Sequence, residues 1–388
     1  MKRFLAIAVL SLATAALFAD ETAEIYRTLY LQAEGIQQKY AAVLNLVALN
    51  DKATAPILAS ALEELLLAQK AYSSRTDLDV YGQTVRLLAK AIGGYKYAPA
   101  APFLWDVVQQ VPDPLAEAEA MMALGEMRDL DYVEPIAGKL RDLNLKPTVD
   151  TDAGEKLAYG AIIALDKFKD VRGFSPVFFA ADAWYSQLVR SQAARSLPNI
   201  SADPTDPIKE ILATEASAER KLRALQAEAA SKAQDGRKIE TAVLALNLGH
   251  LKMPRDKEEA KTLTELRKLA LRSLVAYKAS GPDPVDGCAS SYEKGFDDEE
   301  RLLALQALGI NGSDRSATVL RDIILGLNVD QQAGVADETR NRMARAAIAN
   351  TAVSKNKIVR PALLAVSAND KWSNGIILAA QNALKAIP

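Results

Sequence analysis

A short phrase recurs along the chain at intervals that indicate repeated structure. It pairs Ala or Ser with Leu or Ile, in most copies before a turn residue, and it occurs at Ala48-Leu49-Asn50, Ala91-Ile92-Gly93, Ala123-Leu124-Gly125, Ala164-Leu165-Asp166, Ser196-Leu197-Pro198, Ala307-Leu308-Gly309 and Ala347-Ile348. The first five copies are separated by 43, 32, 41 and 32 residues, and the last two by 40. Periods of about 20 to 50 residues are typical of stacked repeats.

Proline forms a second landmark in the same repeats. Six prolines lie 8 to 14 residues after a copy of the phrase, each just before an apolar run: Pro56, Pro102, Pro135, Pro176, Pro207 and Pro361. Proline costs about 3 kcal/mol inside a helix but almost nothing in its first turn. These prolines therefore predict the starts of second helices, and Gly, Asn or Asp at the preceding turns predicts the ends of first helices.

The apolar spacing predicts helices and no strands. In the segment 119–143, Tyr132, Val133, Ile136, Leu140 and Leu143 lie on one side of a helix, and no stretch alternates as strands require. One hairpin of roughly 35 residues cannot bury enough apolar surface to offset its ordering entropy. Neighbouring hairpins must therefore stack, which predicts an all-α solenoid.

Paired helices, this period, the Ala-Leu-Gly ending and the proline that opens the second helix resemble HEAT repeats. The match is to the short type that is also found in phycobilisome-lyase-like proteins, and it covers most of residues 35–388. The resemblance implies a right-handed α-solenoid, a curved superhelix whose second helices line the inner face. It also implies a role in holding other proteins, and it carries over no catalytic residues.

The pattern becomes irregular after residue 198. Residues 218–233 and 240–251 predict a helical pair without the proline, 257–278 a longer amphipathic helix, and 372–387 a capping helix. Residues 280–300 are rich in Gly, Pro, Asp and Ser and predict a loop of nearly 20 residues, an irregular insertion in an array over 20–388.

The first 19 residues predict export. Lys2 and Arg3 precede an apolar run, and Ala19 is a plausible cleavage point, with Ala15 as a second candidate. The run is shorter than the roughly 20 residues of a membrane-spanning helix, although a retained anchor remains an alternative. Cleavage after Ala19 would remove two of 47 basic residues and none of 49 acidic ones, leaving a net charge of about −4. That charge argues against nucleic acid as a partner, and a periplasmic or secreted location is predicted.

Residues that carry catalytic chemistry are scarce. His250 is the only histidine and is expected to cap a helix end, while Cys288 is the only cysteine and lies in no known nucleophile signature. Asp150-Thr151-Asp152 briefly resembles a calcium loop but lacks its later ligands, so a helix N-cap is favoured. No metal, cofactor or catalytic site is predicted.

Aromatic residues are the candidates for a binding surface. Treated as one helix, the segment 174–189 places Val177, Phe178, Ala181, Trp184, Tyr185 and Leu188 on a single stripe and Phe179 off it. Core packing is the simpler interpretation of Phe179 and Trp105, and contact with a partner protein is the alternative. For the predicted loop over 280–300, a solvated insertion is the simpler interpretation, and a loop that contacts a partner through Tyr292 and Phe296 is the alternative.

These features predict an exported, non-catalytic scaffold or adaptor that binds protein partners in the cell envelope through its solenoid surface. One alternative is an exported hydrolase or carbohydrate-active enzyme on an α/α scaffold, which needs two converging carboxylates in a deep pocket. Another is a structural subunit of a larger envelope assembly, in which self-association would supply the main contact.

Overall fold

The computed structural model describes residues 21–388, which are all-helical and contain no strand. The predicted export segment, residues 1–19, lies outside the described residues. No helix among residues 21–388 combines the length and apolar character needed to cross a bilayer. The chain divides into two compact units at Ser201 and Ala202, close to the point where the sequence pattern becomes irregular.

Among the described residues, the first unit has ten α-helices. Helix α1 includes residues 21–32, and the others are α2 (Ile36–Ala48), α3 (Ala55–Leu67), α4 (Arg75–Tyr95), α5 (Ala101–Gln110), α6 (Pro114–Met127), α7 (Val133–Leu145), α8 (Thr151–Phe168), α9 (Phe174–Ala180) and α10 (Gln187–Ile200). Short 3₁₀ turns lie at Lys52–Thr54, Gln69–Ala71, Ala98–Ala100, Leu130–Tyr132 and Val171–Gly173.

Even-numbered helices of this unit contact one another in succession, α2 with α4, α4 with α6, α6 with α8 and α8 with α10. Of the odd-numbered helices, α3 contacts α5 and α7 contacts α9, and each packs against the even helix that follows it. The core lies between these two layers. Leu58, Leu88, Leu104, Leu124 and Ile136 are buried there.

The second unit repeats this arrangement with α11 (Thr205–Thr214), α12 (Ala218–Ala230), α13 (Asp235–Leu251), α14 (Lys257–Ala276), α15 (Val285–Lys294), α16 (Asp298–Asn311), α17 (Asp314–Gln332), α18 (Glu338–Ser354), α19 (Arg360–Ser367) and α20 (Asn374–Ala386), plus a 3₁₀ turn at Lys357–Val359. Helices α12, α14, α16, α18 and α20 form one row of neighbours, and α11, α13, α15, α17 and α19 form the other.

The six landmark prolines lie in the first turns of odd-numbered helices, which confirms the prediction. They belong to α3, α5, α7, α9, α11 and α19. The pairing of 218–233 with 240–251, the long helix after residue 257 and the terminal helix are also present, as α12, α13, α14 and α20. Asp150 caps α8 by accepting a hydrogen bond from the Ala153 N–H at 3.0 Å, as predicted.

The predicted helix stops are in part wrong. Gly93 and Gly125 lie inside α4 and α6. These helices end at Tyr95 and Met127, and the residues that follow, Lys96 and Arg128, adopt the left-handed conformation with φ of 53° and 57°. Lys169 after α8 and Lys355 after α18 also adopt the left-handed conformation. The glycines serve packing between helices instead, because a β-carbon on Gly93 would lie 2.6 Å from Ala123 Cα.

A local turn unit links first and second helices, and the sequence analysis missed it. A left-handed residue is followed at once by an Asp or Asn whose side chain caps a 3₁₀ turn, as in Asn50-Asp51, Arg128-Asp129, Lys169-Asp170 and Lys355-Asn356. The proline-opened helix then begins directly. A capping side chain satisfies backbone N–H groups that the turn leaves free.

The predicted loop over 280–300 is wrong, because residues Val285–Lys294 form helix α15. Its composition is poor for a helix, so tertiary packing overrides the local preference. Val285, Gly287, Cys288 and Ser291 are buried, and a β-carbon on Gly287 would lie 2.8 Å from Leu246 Cδ2 in α13.

The segment 174–189 is likewise not one helix. Helix α9 ends at Ala180 and α10 begins at Gln187, so the predicted stripe does not continue past the turn between them. Tyr185 is buried, but Leu188 is 66% exposed. The helical stripe therefore holds for Val177 and Phe178 only.

Candidate functional site

The four aromatic candidates divide between the two units. In the first unit, Trp105 is half-buried in α5 with its ring centroid 5.8 Å from that of Tyr132. Phe179 is half-buried in α9 and meets Phe178 edge to face at 5.3 Å. Both side chains thus take part in packing within their unit, which agrees with the simpler of the two interpretations.

Tyr292 and Phe296 lie in the second unit, in and just after α15. Tyr292 is half-buried, and burial raises the pKa of its hydroxyl. Phe296 is 64% exposed. Two of the four candidates are therefore associated with the helix that the sequence analysis missed.

The turn that carries Phe296 is firmly held. The Phe296 N–H donates to Glu300 Oε2 at 3.0 Å, and Asp297 Oδ1 accepts from the Glu300 N–H at 2.9 Å. Lys268 Nζ lies 2.6 Å from Asp297 Oδ2, which ties the turn to α14. An exposed aromatic ring on a fixed turn loses little conformational entropy when it contacts another protein.

Below that turn is a buried ion pair. Arg267 donates to Glu300 through Nε at 2.6 Å and Nη2 at 3.0 Å, and its Nη1 donates to the Gly249 carbonyl at 3.0 Å. The Glu300 side chain is fully buried. Helices α13, α14 and α16 are thereby joined beneath the exposed surface of α15.

An open groove lies between α15 and α17, with a volume of about 430 Å³. Its apolar floor is formed by Ala289, Val319, Ile323, Gly326 and Leu327, and the Tyr292 ring also lines it. Glu293, Asp322 and Asp330 supply its acidic groups. Among the described residues, no lysine or arginine lines this groove, which we call the α15–α17 groove.

The groove follows from the unequal lengths of its two helices. The ion pair of Arg315 Nη2 with Asp286 Oδ1, at 2.5 Å, joins the starts of α17 and α15. Helix α15 has 10 residues and α17 has 19, so α17 continues for about 14 Å after α15 has ended. This second half of α17 has no neighbouring turn of α15 beside it.

A second groove, of about 470 Å³, lies on the other side of α15, against α13. Ile239, Val243, Pro282 and Pro284 give it apolar walls, and Glu240, Asp283, Asp286 and Arg315 supply its charges. It shares the acidic character of the α15–α17 groove, but the Asp286–Arg315 pair crosses it.

His250 and Cys288 contribute to packing around α15. His250 Nε2 lies 2.7 Å from Ser291 Oγ, so the ring joins α13 to α15 and is not simply a cap on its own helix. Burial, with the nearby Arg267 charge, lowers the imidazole pKa to about 4. Burial raises the pKa of the Cys288 thiol to about 12, and the side chain is 1% exposed. A buried thiol of this kind is a poor nucleophile.

Within residues 21–388, no group of three or more His, Cys, Asp or Glu side chains is arranged to hold a metal ion. The hydrolase alternative needs converging carboxylates in a deep pocket, whereas both grooves beside α15 are open to solvent.

The groove residues, among them Val319, Ile323, Gly326 and Glu293, were not predicted from the sequence. One available signal was the interval between Pro284 and Gly295, which limits any helix there to about ten residues. Comparison with known proteins finds no matching protein-family model and no matching curated protein.

Proposed function

We propose that the protein is an exported, non-catalytic scaffold or adaptor that binds protein partners in the cell envelope. In this proposal the helical array of each unit is a HEAT-like solenoid. The observation that carries it is the pattern of contacts within each unit. Even-numbered helices contact the next even-numbered helix, and odd-numbered helices form a second row. Such an array buries one side of each helix and leaves an extended surface for recognition.

The binding surface in this proposal includes the exposed side of α15 with its flanking grooves. A fixed, exposed aromatic ring at Phe296 supports it, because aromatic residues contribute strongly to protein interfaces. The apolar floor of the α15–α17 groove supports it as well, since a groove with acidic groups beside apolar ones gives both affinity and selectivity.

Export is the second part of the proposal, and it rests on the charged start and apolar run of residues 1–19. Fractionation of cells and N-terminal sequencing of the mature chain test it. A mature chain in the periplasm or medium that begins just after Ala15 or Ala19 is expected. An intact N-terminus in the cytoplasmic fraction would contradict export.

Partner binding is tested by cross-linking intact cells, purifying the affinity-tagged full-length chain from envelope extract and quantifying co-purified proteins by mass spectrometry. At least one protein enriched over an untagged strain is expected, and Phe296→Ala should reduce its recovery. Leu188→Ala, which removes another exposed side chain, is the matched control. No enrichment above background would overturn the proposal. A chain that enriches only itself would favour the structural-subunit alternative.

A further inference from the structure

We infer that the α15–α17 groove binds a short, basic amphipathic helix of a partner protein. The inference rests on the proposed function and specifies the chemistry of its partner. Its starting point is the half of α17 beside which α15 has ended.

The shape of the groove favours a helix. On α17, the lining residues Val319, Ile323, Gly326 and Asp330 follow helical spacing, so they form one stripe along the axis. A helix bound along this stripe would lie beside the end of α15 at Val319 and Ile323 and extend past it at Gly326 and Asp330. The length difference of about 14 Å corresponds to two or three turns, or about ten residues.

Gly326 supports close approach of a bound helix. A β-carbon built on it meets no atom within 4 Å. Elsewhere in the chain, helix glycines allow neighbouring helices to meet closely, as Gly93 meets Ala123. Gly326 offers a similar surface, at a point where no described residue of another element lies within 4 Å of that β-carbon.

The charges select a basic partner. Glu293 is exposed and has no hydrogen bond or ion pair with another described residue, while Asp322 pairs only with the adjacent Arg321. The two arginines whose charges act on the Tyr292 hydroxyl are already engaged. Arg301 donates to the Gly295 carbonyl at 3.1 Å, and Arg340 pairs with Asp330 at 3.0 Å. On a partner helix, lysine or arginine beside an apolar stripe would complement Glu293 and Asp322. The apolar stripe of that helix would then pack on Ile323.

The probe is a fluorescein-labelled Leu/Lys peptide of about twelve residues with leucines at helical i, i+3, i+4 and i+7 spacing. Its affinity for the purified chain is measured by fluorescence anisotropy, beside a peptide with glutamate in place of lysine. The basic peptide should bind, and its affinity should fall as the salt concentration is raised. The acidic peptide should not bind. Equal affinity for the two peptides, or no binding of the basic one, would overturn the inference.

Two variants place the peptide in this groove. Gly326→Leu fills the open space and should lower the affinity for the basic peptide by about tenfold or more. The bound helix can then no longer approach α17 closely. Glu293→Lys reverses one charge and should lower the affinity for the basic peptide by about three- to tenfold. Lysine at the end of α15 suits the helix dipole, so this variant should fold normally.

Matched controls separate the groove from general charge effects. Gly94→Leu changes another exposed helix glycine with open space around it, and Glu63→Lys changes an exposed glutamate in α3. Both lie in the first unit and should bind the peptide as the unchanged chain does. If Gly326→Leu and Gly94→Leu bind equally well, the peptide lies elsewhere and the inference fails.

A cross-linking experiment identifies the natural occupant. Gly326→Cys introduces an exposed thiol for a photoactivated cross-linker, whereas Cys288 is buried and its raised pKa keeps it unreactive. Cross-links to a segment with lysine or arginine beside a helical apolar stripe are expected. Cross-links to a second copy of this chain, or to an acidic segment, would overturn the inference. If Gly326→Leu leaves envelope partners bound, the groove inference fails while the scaffold proposal stands.

Discussion

Gly125 of α6 lies directly against the backbone of Ala164 in α8. A β-carbon on Gly125 would stand 2.7 Å from Ala164 Cα and 2.8 Å from the Ala164 carbonyl oxygen. Gly160 of α8 is placed in the same way against Ala118 of α6, at 2.7 Å from its Cα. These contacts let successive even helices approach closely, so the glycine of the repeated phrase sets the distance between neighbouring helices.

Substitution of Gly125 by Ala should therefore destabilise the first unit, although alanine is the better helix former. We expect the free energy of unfolding to fall by about 1–3 kcal/mol, because the added methyl group meets backbone that cannot move aside easily. Urea unfolding followed through the fluorescence of Trp105 and Trp184 measures it. Gly94→Ala, where the methyl group meets no atom within 4 Å, should instead stabilise by about 0.5–1 kcal/mol. Similar effects of the two variants would show that the close contact is not a constraint.

Much of the fold could be predicted from local sequence. Proline has no N–H and a fixed φ, so Pro56 and Pro135 mark the first turns of α3 and α7 whatever surrounds them. The cap at Asp150 is equally local, because its side chain bonds to the backbone N–H of Ala153, three residues away. Features that depend on neighbours within a few residues are visible in a single sequence.

The rest depends on contacts that are distant in sequence. Helix α15 forms because residues such as Gly287 and Ser291 fit against α13, and its composition alone indicated a loop. The α15–α17 groove depends on the relative lengths and positions of two helices. Tyr292 and Phe296 were selected as aromatics in a loop, but Ile323 and Gly326 could not be selected before α15 and α17 were known to be neighbours.

The buried pair of Arg267 and Glu300 should be essential to the second unit. Replacing Glu300 by Ala leaves the guanidinium buried without its partner, and we expect a loss of about 3–5 kcal/mol in the free energy of unfolding. The double variant Arg267→Met/Glu300→Leu should recover most of that loss, because neither buried charge remains. Urea unfolding followed by circular dichroism and by Trp372 fluorescence measures both variants.

An exposed ion pair provides the comparison. Lys261 and Glu258 of α14 lie 2.8 Å apart with side chains 63% and 83% exposed, and Glu258→Ala should cost less than about 1 kcal/mol. If Glu300→Ala lowers the free energy of unfolding no more than Glu258→Ala does, the buried pair contributes little to stability. The rigidity of the turn that carries Phe296 would then need another explanation.

His250 should reduce stability at mildly acidic pH. Its folded pKa is lowered from 6.5 to about 4 by burial and by Arg267, so between these values the unfolded state binds a proton that the folded state does not. Stability should therefore fall as the pH decreases from about 6.5 to about 4. His250→Gln should remove this part of the pH dependence in thermal unfolding. Because His250 is the only histidine, its NMR titration is a single curve, and a midpoint near 6.5 would contradict the assignment.

Glu259 should act at lower pH but in the same direction, because its folded pKa is also lowered. Its carboxylate accepts from the Arg255 side chain at 3.0 Å and lies 2.7 Å from Lys252 Nζ. Hydrogen bonds from Arg255 and then Lys252 lower its pKa from 4.5 to about 2. The stability it provides is present above pH 4.5 and is lost as the pH falls towards 2, because the unfolded state takes up the proton first. Glu259→Gln should therefore lower the melting temperature at pH 6 and have little further effect near pH 2. Glu63→Gln, at an exposed position in α3, should leave the melting temperature unchanged at both values, and a Glu259→Gln difference that persists undiminished at pH 2 would refute the role given to Arg255 and Lys252.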